Sequence, residues 1–234
     1  MKKQILLYTK PFLLIILVFP FFSSCSYLAS KIISLNDLPI PNGKYSIGTR
    51  IFTWVDESRY EDFTPIDYDK RRIVVQVWYP IKKRDVDRMS YIDNYKLRIN
   101  PIADQFGDVG IPKKAISLIL SDVKNIKTNS EYDAPIDINP SKQFPLIIFS
   151  HGLGGMKNQN SIQIEKLVSN GYVVIAPDHA FDANITIFED SQIAPFKSAE
   201  YDPNAKYTIE DFYAYRIPQI QTRSLDLSFI IDEV

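Results

Sequence analysis

The chain has 234 residues, of which 45% are hydrophobic, and its 27 basic and 28 acidic side chains leave a formal net charge of −1. This length suits a single α/β domain that buries a substantial core. No Lys/Arg cluster is long enough to follow a phosphate backbone, so nucleic acid is not an expected partner. The only cysteine is Cys25, so an intramolecular disulfide is excluded and packing must hold the fold.

The first 24 residues are predicted to be a targeting segment. Three lysines precede the apolar residues 11–22, which are too few to span a membrane comfortably. Residues 22–25, Phe-Ser-Ser-Cys, are similar to a bacterial lipobox, in which the signal is cleaved before a cysteine that carries diacylglycerol. We therefore expect export and a lipid anchor at Cys25 in the bacterial cell envelope, with the outer membrane favoured. The alternative is an ordinary secretory signal with an incidental thiol.

Two strands are predicted at the front of the domain. Residues 25–42 are expected to form a tether, and residues 43–234 to belong to one α/β domain. Polar and apolar residues alternate over 45–55, and residues 72–79 are rich in β-branched and aromatic side chains. Two adjoining strands indicate that the sheet opens with an antiparallel pair.

A strand–helix–strand unit is predicted over residues 144–177. The apolar run 144–150 indicates a strand, the spacing over 161–170 indicates a helix ended by Gly171, and the apolar run 172–177 indicates a second strand. Such a unit pairs its strands in parallel and buries them on both faces. The expected fold is therefore α/β, with a mostly parallel sheet behind the antiparallel opening.

The remaining segments are less regular. Residues 81–143 are predicted to be a long insertion with one helix at 115–120, and residues 178–212 an excursion from the core. Pro218 is expected in the first turn of a final helix. The core-facing stripe of that helix is expected to consist of Ile220, Leu227 and Ile231.

The glycine-rich loop after the strand at 144–150 is the main candidate site. It reads His151-Gly152-Leu153-Gly154-Gly155. Acyl transfer from an ester needs a nucleophile, a base, an orienting acid and donors for the developing oxyanion, and backbone N–H groups supply such donors. Glycines allow close backbone approach, and the N-terminus of the following helix adds a positive field. The predicted oxyanion donor is the N–H of Leu153; the alternative is a merely tight βα turn.

No residue of the chain is predicted to be the nucleophile. Gly-x-Ser-x-Gly does not occur. Ser150 ends a strand, but Ile148 is too bulky for the strained elbow that presents a nucleophile. Asp178 has small neighbours, yet neither a convincing helix nor a histidine follows it.

The two histidines are predicted to have supporting roles. His151 and His179 both precede the place of the catalytic histidine in α/β-hydrolases, where the order is Ser, acid, His. We expect His151 to brace the glycine loop and His179 to brace the end of the strand before it. A zinc site with Asp178 or Asp182 remains an alternative without a familiar ligand spacing, and no metal is predicted.

Several separate motifs, in order, resemble the plasma-type platelet-activating factor acetylhydrolases and their bacterial relatives, which are α/β-hydrolases. The motifs are residues 45–50, 74–80, 132–135, 144–155 and 171–179, with Asp56 and Arg59. The resemblance implies an ester hydrolase that removes short or oxidised acyl chains from phospholipids or similar esters, without a cofactor. It also implies that Leu153 is similar to the family's oxyanion-hole residue.

The family's nucleophile elbow, acid and catalytic histidine have no counterpart in the chain. We expect them beyond Val234, so that this chain is the part of an α/β-hydrolase before the nucleophile-elbow strand. Residues 146–149 would then form an exposed apolar sheet edge. The alternatives are a non-catalytic surface lipoprotein that binds lipid or a partner, and an inactive fragment.

Overall fold

The computed structural model describes residues 37–107, 110, 112–114, 116, 120–139, 141–197 and 208–234. The predicted targeting segment and Cys25 lie outside these residues. Within the described ranges, no helix has both the length and the apolar character of a membrane span.

Within the described residues, eight strands form a six-stranded sheet and a small hairpin. The strands are β1 (Ser46–Tyr60), β2 (Lys70–Ile81), β3 (Arg88–Ser90), β4 (Lys127–Tyr132), β5 (Leu146–Ile148), β6 (Val173–Asp178), β7 (Ile185–Ile187) and β8 (Ile193–Pro195). The large sheet has the order β3-β4-β1-β2-β6-β5, and β7 pairs with β8. The helices are α1 (Tyr95–Gly107), α2 (Ser161–Ser169) and α3 (Ile209–Asp232), with a 3₁₀ turn at Leu120–Asn125.

The antiparallel opening is confirmed. β1 and β2 pair in register from Ser46 opposite Ile81 to Asp56 opposite Arg71. β2 is also antiparallel to β6, whereas β5 and β6 are parallel, as are β1 and β4. The described sheet is therefore mixed rather than mostly parallel, because the front half of the domain is built from antiparallel neighbours.

Helices cover both faces of this sheet. Ile164 and Val168 of α2 pack on one face against a cluster that includes Trp78. Ile230 of α3 packs on the other face against a cluster that includes Ile175. Because successive side chains of a strand point to opposite faces, β6 contributes residues to both clusters. The result is a three-layer arrangement of helix, sheet and helix.

The predicted strand–helix–strand unit is β5–α2–β6, with its strands parallel. Gly171 lies just past the end of α2 with φ of +96°, the left-handed conformation that glycine adopts without strain. The first strand is shorter than predicted and is an edge within the described sheet. Leu146 is 44% exposed, so β5 is not buried on both faces as expected.

Two segments that were read as peripheral belong to the fold. The insertion contributes β3, β4 and α1, and β4 extends the sheet beside β1. The helix expected at 115–120 falls largely outside the described residues. Residues 178–186, read as the start of an excursion, are all buried. Their tight packing beneath the glycine loop explains why so polar a stretch is part of the core.

The final helix differs from its prediction in where it begins and in which of its residues are buried. α3 begins at Ile209, where Thr208 and Asp211 form a reciprocal capping box, and Pro218 lies in its interior. Ile220 and Ile231 are each 59% exposed. The face toward the sheet comprises the buried Asp226 and Ile230 and the half-buried Leu227, so of the predicted stripe only Leu227 lies there. A search for apolar residues at helical spacing missed this face because it includes a carboxylate.

The expected tether also touches the domain. The N–H of Leu38 donates to the carbonyl of Lys127 at 2.9 Å, and Asp37 pairs with Arg88 at 3.0 Å. Leu38 packs beside the buried Val123. Residues 37 and 38 are thus already held against β4.

Truncating Ile230 tests the α3 interface. We expect Ile230→Ala to lower the free energy of unfolding by about 2–5 kcal/mol, because Ile230 is fully buried and the cavity would not collapse completely. Ile231→Ala, at an exposed neighbour, should change it by about 0.5 kcal/mol or less. Urea denaturation measures both, and equal effects would contradict the orientation of α3.

Candidate active site

The glycine loop begins three residues after the end of β5 and has a conformation that requires glycine. Gly154 has φ of +65°, where residues with a side chain are strained. A Cβ at Gly155 would stand 2.9 Å from the carbonyl oxygen of Gly152. The sequence pattern is therefore explained at these two positions by backbone geometry.

The segment that follows β6 anchors the loop. The N–H of Gly154 donates to the carbonyl of Asp182 at 3.0 Å, and the N–H of Asn184 donates to the carbonyl of Gly155 at 2.7 Å. Further along, the N–H of Lys157 donates to Oδ1 of Asp178 at 2.6 Å. Three hydrogen bonds thus fix the loop against residues 178–184.

Three backbone donors of the loop have no acceptor within the described part of the chain: the N–H groups of His151, Gly152 and Leu153. His151 is buried, so the accessible donors are those of Gly152 and Leu153. The side chain of Leu153 is exposed, and a Cβ built at Gly152 would meet only Gln159, at 3.8 Å. These donors can therefore bind an acceptor atom of a ligand without first breaking a bond within the protein.

His151 braces the loop, as predicted. Its buried ring donates from Nδ1 to the carbonyl of Gly152 at 2.6 Å, and its Nε2 accepts the N–H of His179 at 3.2 Å. Only the neutral ring protonated at Nδ1 makes both bonds. Burial is the main cause that lowers the pKa of His151 to about 4.

His179 joins a serine to a carboxylate. Its Nε2 lies 2.9 Å from Oγ of Ser150, and its Nδ1 lies 2.8 Å from Oδ2 of Asp226. An ionised carboxylate only accepts hydrogen bonds, so the neutral ring carries its proton on Nδ1. The Ser150 hydroxyl then donates to Nε2. His179 and Asp226 are fully buried, whereas Ser150 is exposed.

Two guanidinium groups hold Asp226. Arg71 contacts it with Nε at 3.0 Å and Nη2 at 2.7 Å, and Arg59 adds a contact at 2.9 Å. Burial alone would raise the pKa of Asp226, but hydrogen bonds from His179 and Arg71 outweigh it and hold the pKa well below its usual range. Arg71 also pairs with Glu61 at 2.7 Å. The carboxylate is therefore ionised and fixed in direction.

A second buried ion cluster lies at the end of β6. Oδ2 of Asp178 is 3.1 Å from Arg98 and 3.2 Å from Lys157, and both cations also contact Asp93. Burial would raise the pKa of Asp178, but the charges of Lys157 and Arg98 lower it. Two positive and two negative groups neutralise one another here, which makes their burial tolerable.

The alternative zinc site finds no support in this geometry. Among the described residues, no group of three or more His, Cys, Asp or Glu side chains is arranged to hold a metal ion. Asp182 pairs with Arg223, and Asp178 belongs to the ion cluster. Arg223 also donates to the carbonyl of His151 at 2.7 Å, so it supports the glycine loop.

The structure brings together what the sequence identified and adds residues that it missed. The loop and both histidines lie together, whereas the sequence placed only His151 at the loop and His179 at the end of a strand. Asp226, Arg223 and Arg71 were not singled out. Asp226 and Arg223 are polar residues on the helical face of Leu227 and Ile230, and that spacing was a usable signal. Arg71 showed none, because a charge at the start of a strand is usually solvated.

The fold is that of the α/β-hydrolases. A solved structure of the ferulic acid esterase from Streptomyces cinnamoneus superposes with a TM-score of 0.60 at 21% identity, over 85% of this chain and 49% of the other. The fold class predicted from the sequence is thereby confirmed.

The family follows from the sequence comparisons. The family described as platelet-activating factor acetylhydrolase, isoform II, matches residues 32–230, and the chain belongs to this family. The platelet-activating factor acetylhydrolase of Canis lupus familiaris is 25% identical over 86% of this chain, and that of Cavia porcellus is 25% identical over 61%. The chain spans only 42% and 28% of the lengths of these two relatives.

The buried state of His151 predicts a loss of stability in mild acid. Its pKa is lowered in the fold, so between pH 6.5 and about 4 the unfolded chain takes up a proton that the folded chain does not. Protonation of His151 in the unfolded chain should therefore lower the free energy of unfolding by about 3 kcal/mol as the pH falls through this window.

Urea unfolding of wild type and His151→Gln at pH 7 and pH 4.5 measures this difference. Glutamine keeps a polar side chain but has no proton to gain, so the variant should lose less stability between the two pH values. An identical loss in both proteins would contradict the assignment to His151.

Proposed function

We propose that the protein takes part in the hydrolysis of carboxylic esters, with the glycine loop as its oxyanion hole. The observation that carries this proposal is the pair of exposed, unused N–H donors at Gly152 and Leu153, next to Gly154 and Gly155, whose N–H groups are engaged. Membership of a family whose relatives are named platelet-activating factor acetylhydrolases supports the same chemistry. Phospholipids with short or oxidised acyl chains are the proposed substrates.

The proposed mechanism proceeds through an acyl-enzyme. As the carbonyl carbon becomes tetrahedral, its oxygen gains negative charge and accepts hydrogen bonds from the loop, chiefly from Leu153. One such donor lowers the barrier by about 3 kcal/mol. The nucleophile in this proposal belongs to a Gly-x-Ser-x-Gly elbow, which none of the 234 residues provides. The contribution of this chain is the stabilisation of the oxyanion.

Two substitutions of Leu153 distinguish the contribution of its N–H from the contribution of its side chain. Leu153→Pro removes the donor and should lower kcat for p-nitrophenyl acetate about 10²–10³-fold. Leu153→Ala keeps the donor and, because the side chain is exposed, should leave kcat within about threefold. Steady-state kinetics on a protein that contains this chain together with the proposed Gly-x-Ser-x-Gly elbow, with circular dichroism to check folding, measures both.

Equal losses in the alanine and proline variants would contradict the backbone assignment. If the protein that contains both this chain and the elbow shows no turnover of short-chain esters, the proposed function itself is contradicted. If that protein also bound phospholipid vesicles tightly, a non-catalytic lipid-binding role would replace it.

We further propose that the protein is exported and anchored through lipid on Cys25. Support comes from the sequence alone: a basic start, the apolar residues 11–22, and small residues before a lone cysteine. Several acyl chains on one residue hold a protein firmly at a membrane. Cys25→Ser should move the protein from the membrane fraction to the soluble fraction of a bacterial host, whereas Ser26→Ala should not. An unchanged membrane fraction in Cys25→Ser would refute the anchor.

A further inference from the structure

We propose that Ser150, His179 and Asp226 form a positioning relay that holds the oxyanion loop in its working geometry. This inference rests on the proposed function, because it assigns the relay to the same loop. The three side chains are linked by hydrogen bonds of 2.9 Å and 2.8 Å. Ser150 is the second residue after β5, so its position fixes where the loop begins.

The relay reaches the loop through two consecutive residues. The ring of His179 bonds the Ser150 hydroxyl, while the backbone N–H of the same histidine donates to His151 at 3.2 Å. Two bonds from one residue to neighbours in the chain resist rotation as well as translation of that strand end. Leu153 lies only two residues after His151, so the direction of its N–H depends on the position of this strand end.

The other end of the relay is fixed by charge. Asp226 cannot turn, because Arg71 binds both of its oxygens and Arg59 binds one of them. Its direction determines which nitrogen of His179 carries the proton, and hence that Nε2 accepts from Ser150. The buried ion pair thus specifies the tautomer and, through it, the position of the serine hydroxyl.

The same three residue types make up a catalytic triad, but Ser150 lacks the setting of a nucleophile. A nucleophile elbow is a strained turn between a strand and a helix. Ser150 is not among the described residues with positive φ, and α2 begins only at Ser161. In addition, the carboxylate that would stabilise a charged His179 is already shared with two guanidinium groups. The geometry favours positioning over nucleophilic attack.

A positioning role affects the transition state more than substrate binding. The oxyanion exists only after attack, so a loop shifted by a fraction of an ångström weakens stabilisation of the transition state and leaves ground-state binding nearly unchanged. We expect Ser150→Ala to lower kcat for p-nitrophenyl acetate about 10–100-fold with KM within about twofold. Ser150→Thr keeps the hydroxyl and should restore kcat to within about threefold of wild type.

The relay also has a spectroscopic signature that does not depend on turnover. In ¹⁵N-labelled protein, the imidazole nitrogens of His179 should show that Nδ1 carries a proton and that Nε2 accepts a hydrogen bond. Asp226→Asn should change this ring, because an amide can donate to Nδ1 and shift the proton to Nε2. Ser150→Ala should move the amide resonance of Leu153, whereas Ser150→Thr should move it less. Asp190→Asn, at an exposed Arg–Asp pair, is the matched control and should move neither.

The outcomes separate the relay from the proposed function. Unchanged kcat and an unchanged Leu153 resonance in Ser150→Ala would overturn the relay. Labelling of Ser150 by a fluorophosphonate, located by mass spectrometry, would also overturn it, since the serine would then be catalytic. Absence of esterase turnover in the protein that contains both this chain and the elbow would refute the proposed function, while the resonances of His179 and Leu153 would still decide the relay.

Discussion

The buried carboxylate of Asp226 is the interaction on which the site depends. It lies on α3, yet its partners come from the first two strands and from the residue after β6. An ionised group in this position is stable only because Arg71, Arg59 and His179 supply donors to both oxygens. Removal of one partner from such a buried pair lowers the free energy of unfolding by about 3–5 kcal/mol, since the remaining charge is left without compensation. The carboxylate therefore fixes α3 to the sheet and aligns His179 in one step.

The carboxyl end of β6 acts as the platform for the glycine loop. Two successive residues there, Asp178 and His179, are each the centre of a buried polar network, one with Lys157 and Arg98 and one with Asp226. Both networks also contact the stretch from Ser150 to Lys157. Because β5 contributes only three paired residues at an edge of the described sheet, its own ladder cannot hold the loop. Polar contacts from the neighbouring strand end therefore hold the loop in place, as its proposed role as an oxyanion hole requires.

The elements with a clear hydrophobic period were predictable. The alternating and β-branched runs identified β1 and β2, and the apolar runs around a helical stretch identified β5, α2 and β6. The short strands β3 and β4 were not, because three to six residues such as Lys127–Tyr132 carry too little pattern to stand out from a loop. The stripe of α3 was misassigned for a different reason. Its buried face includes Asp226. A rule that selects apolar residues therefore passes over this face and selects the exposed Ile220 and Ile231 in its place.

The sequence by itself determined the fold class, the family and the place of the glycine loop, because these depend on local chain geometry. Positive φ at Gly154 and the close approach at Gly155 are requirements of a few adjacent bonds, and only glycine meets them. The tertiary structure alone decided that Ser150, His179 and Asp226 meet. They are separated by 29 and 47 residues, and no periodicity relates them. Their contact exists only because sheet order places β5 beside β6 and because α3 crosses the opposite face with a carboxylate in its buried stripe.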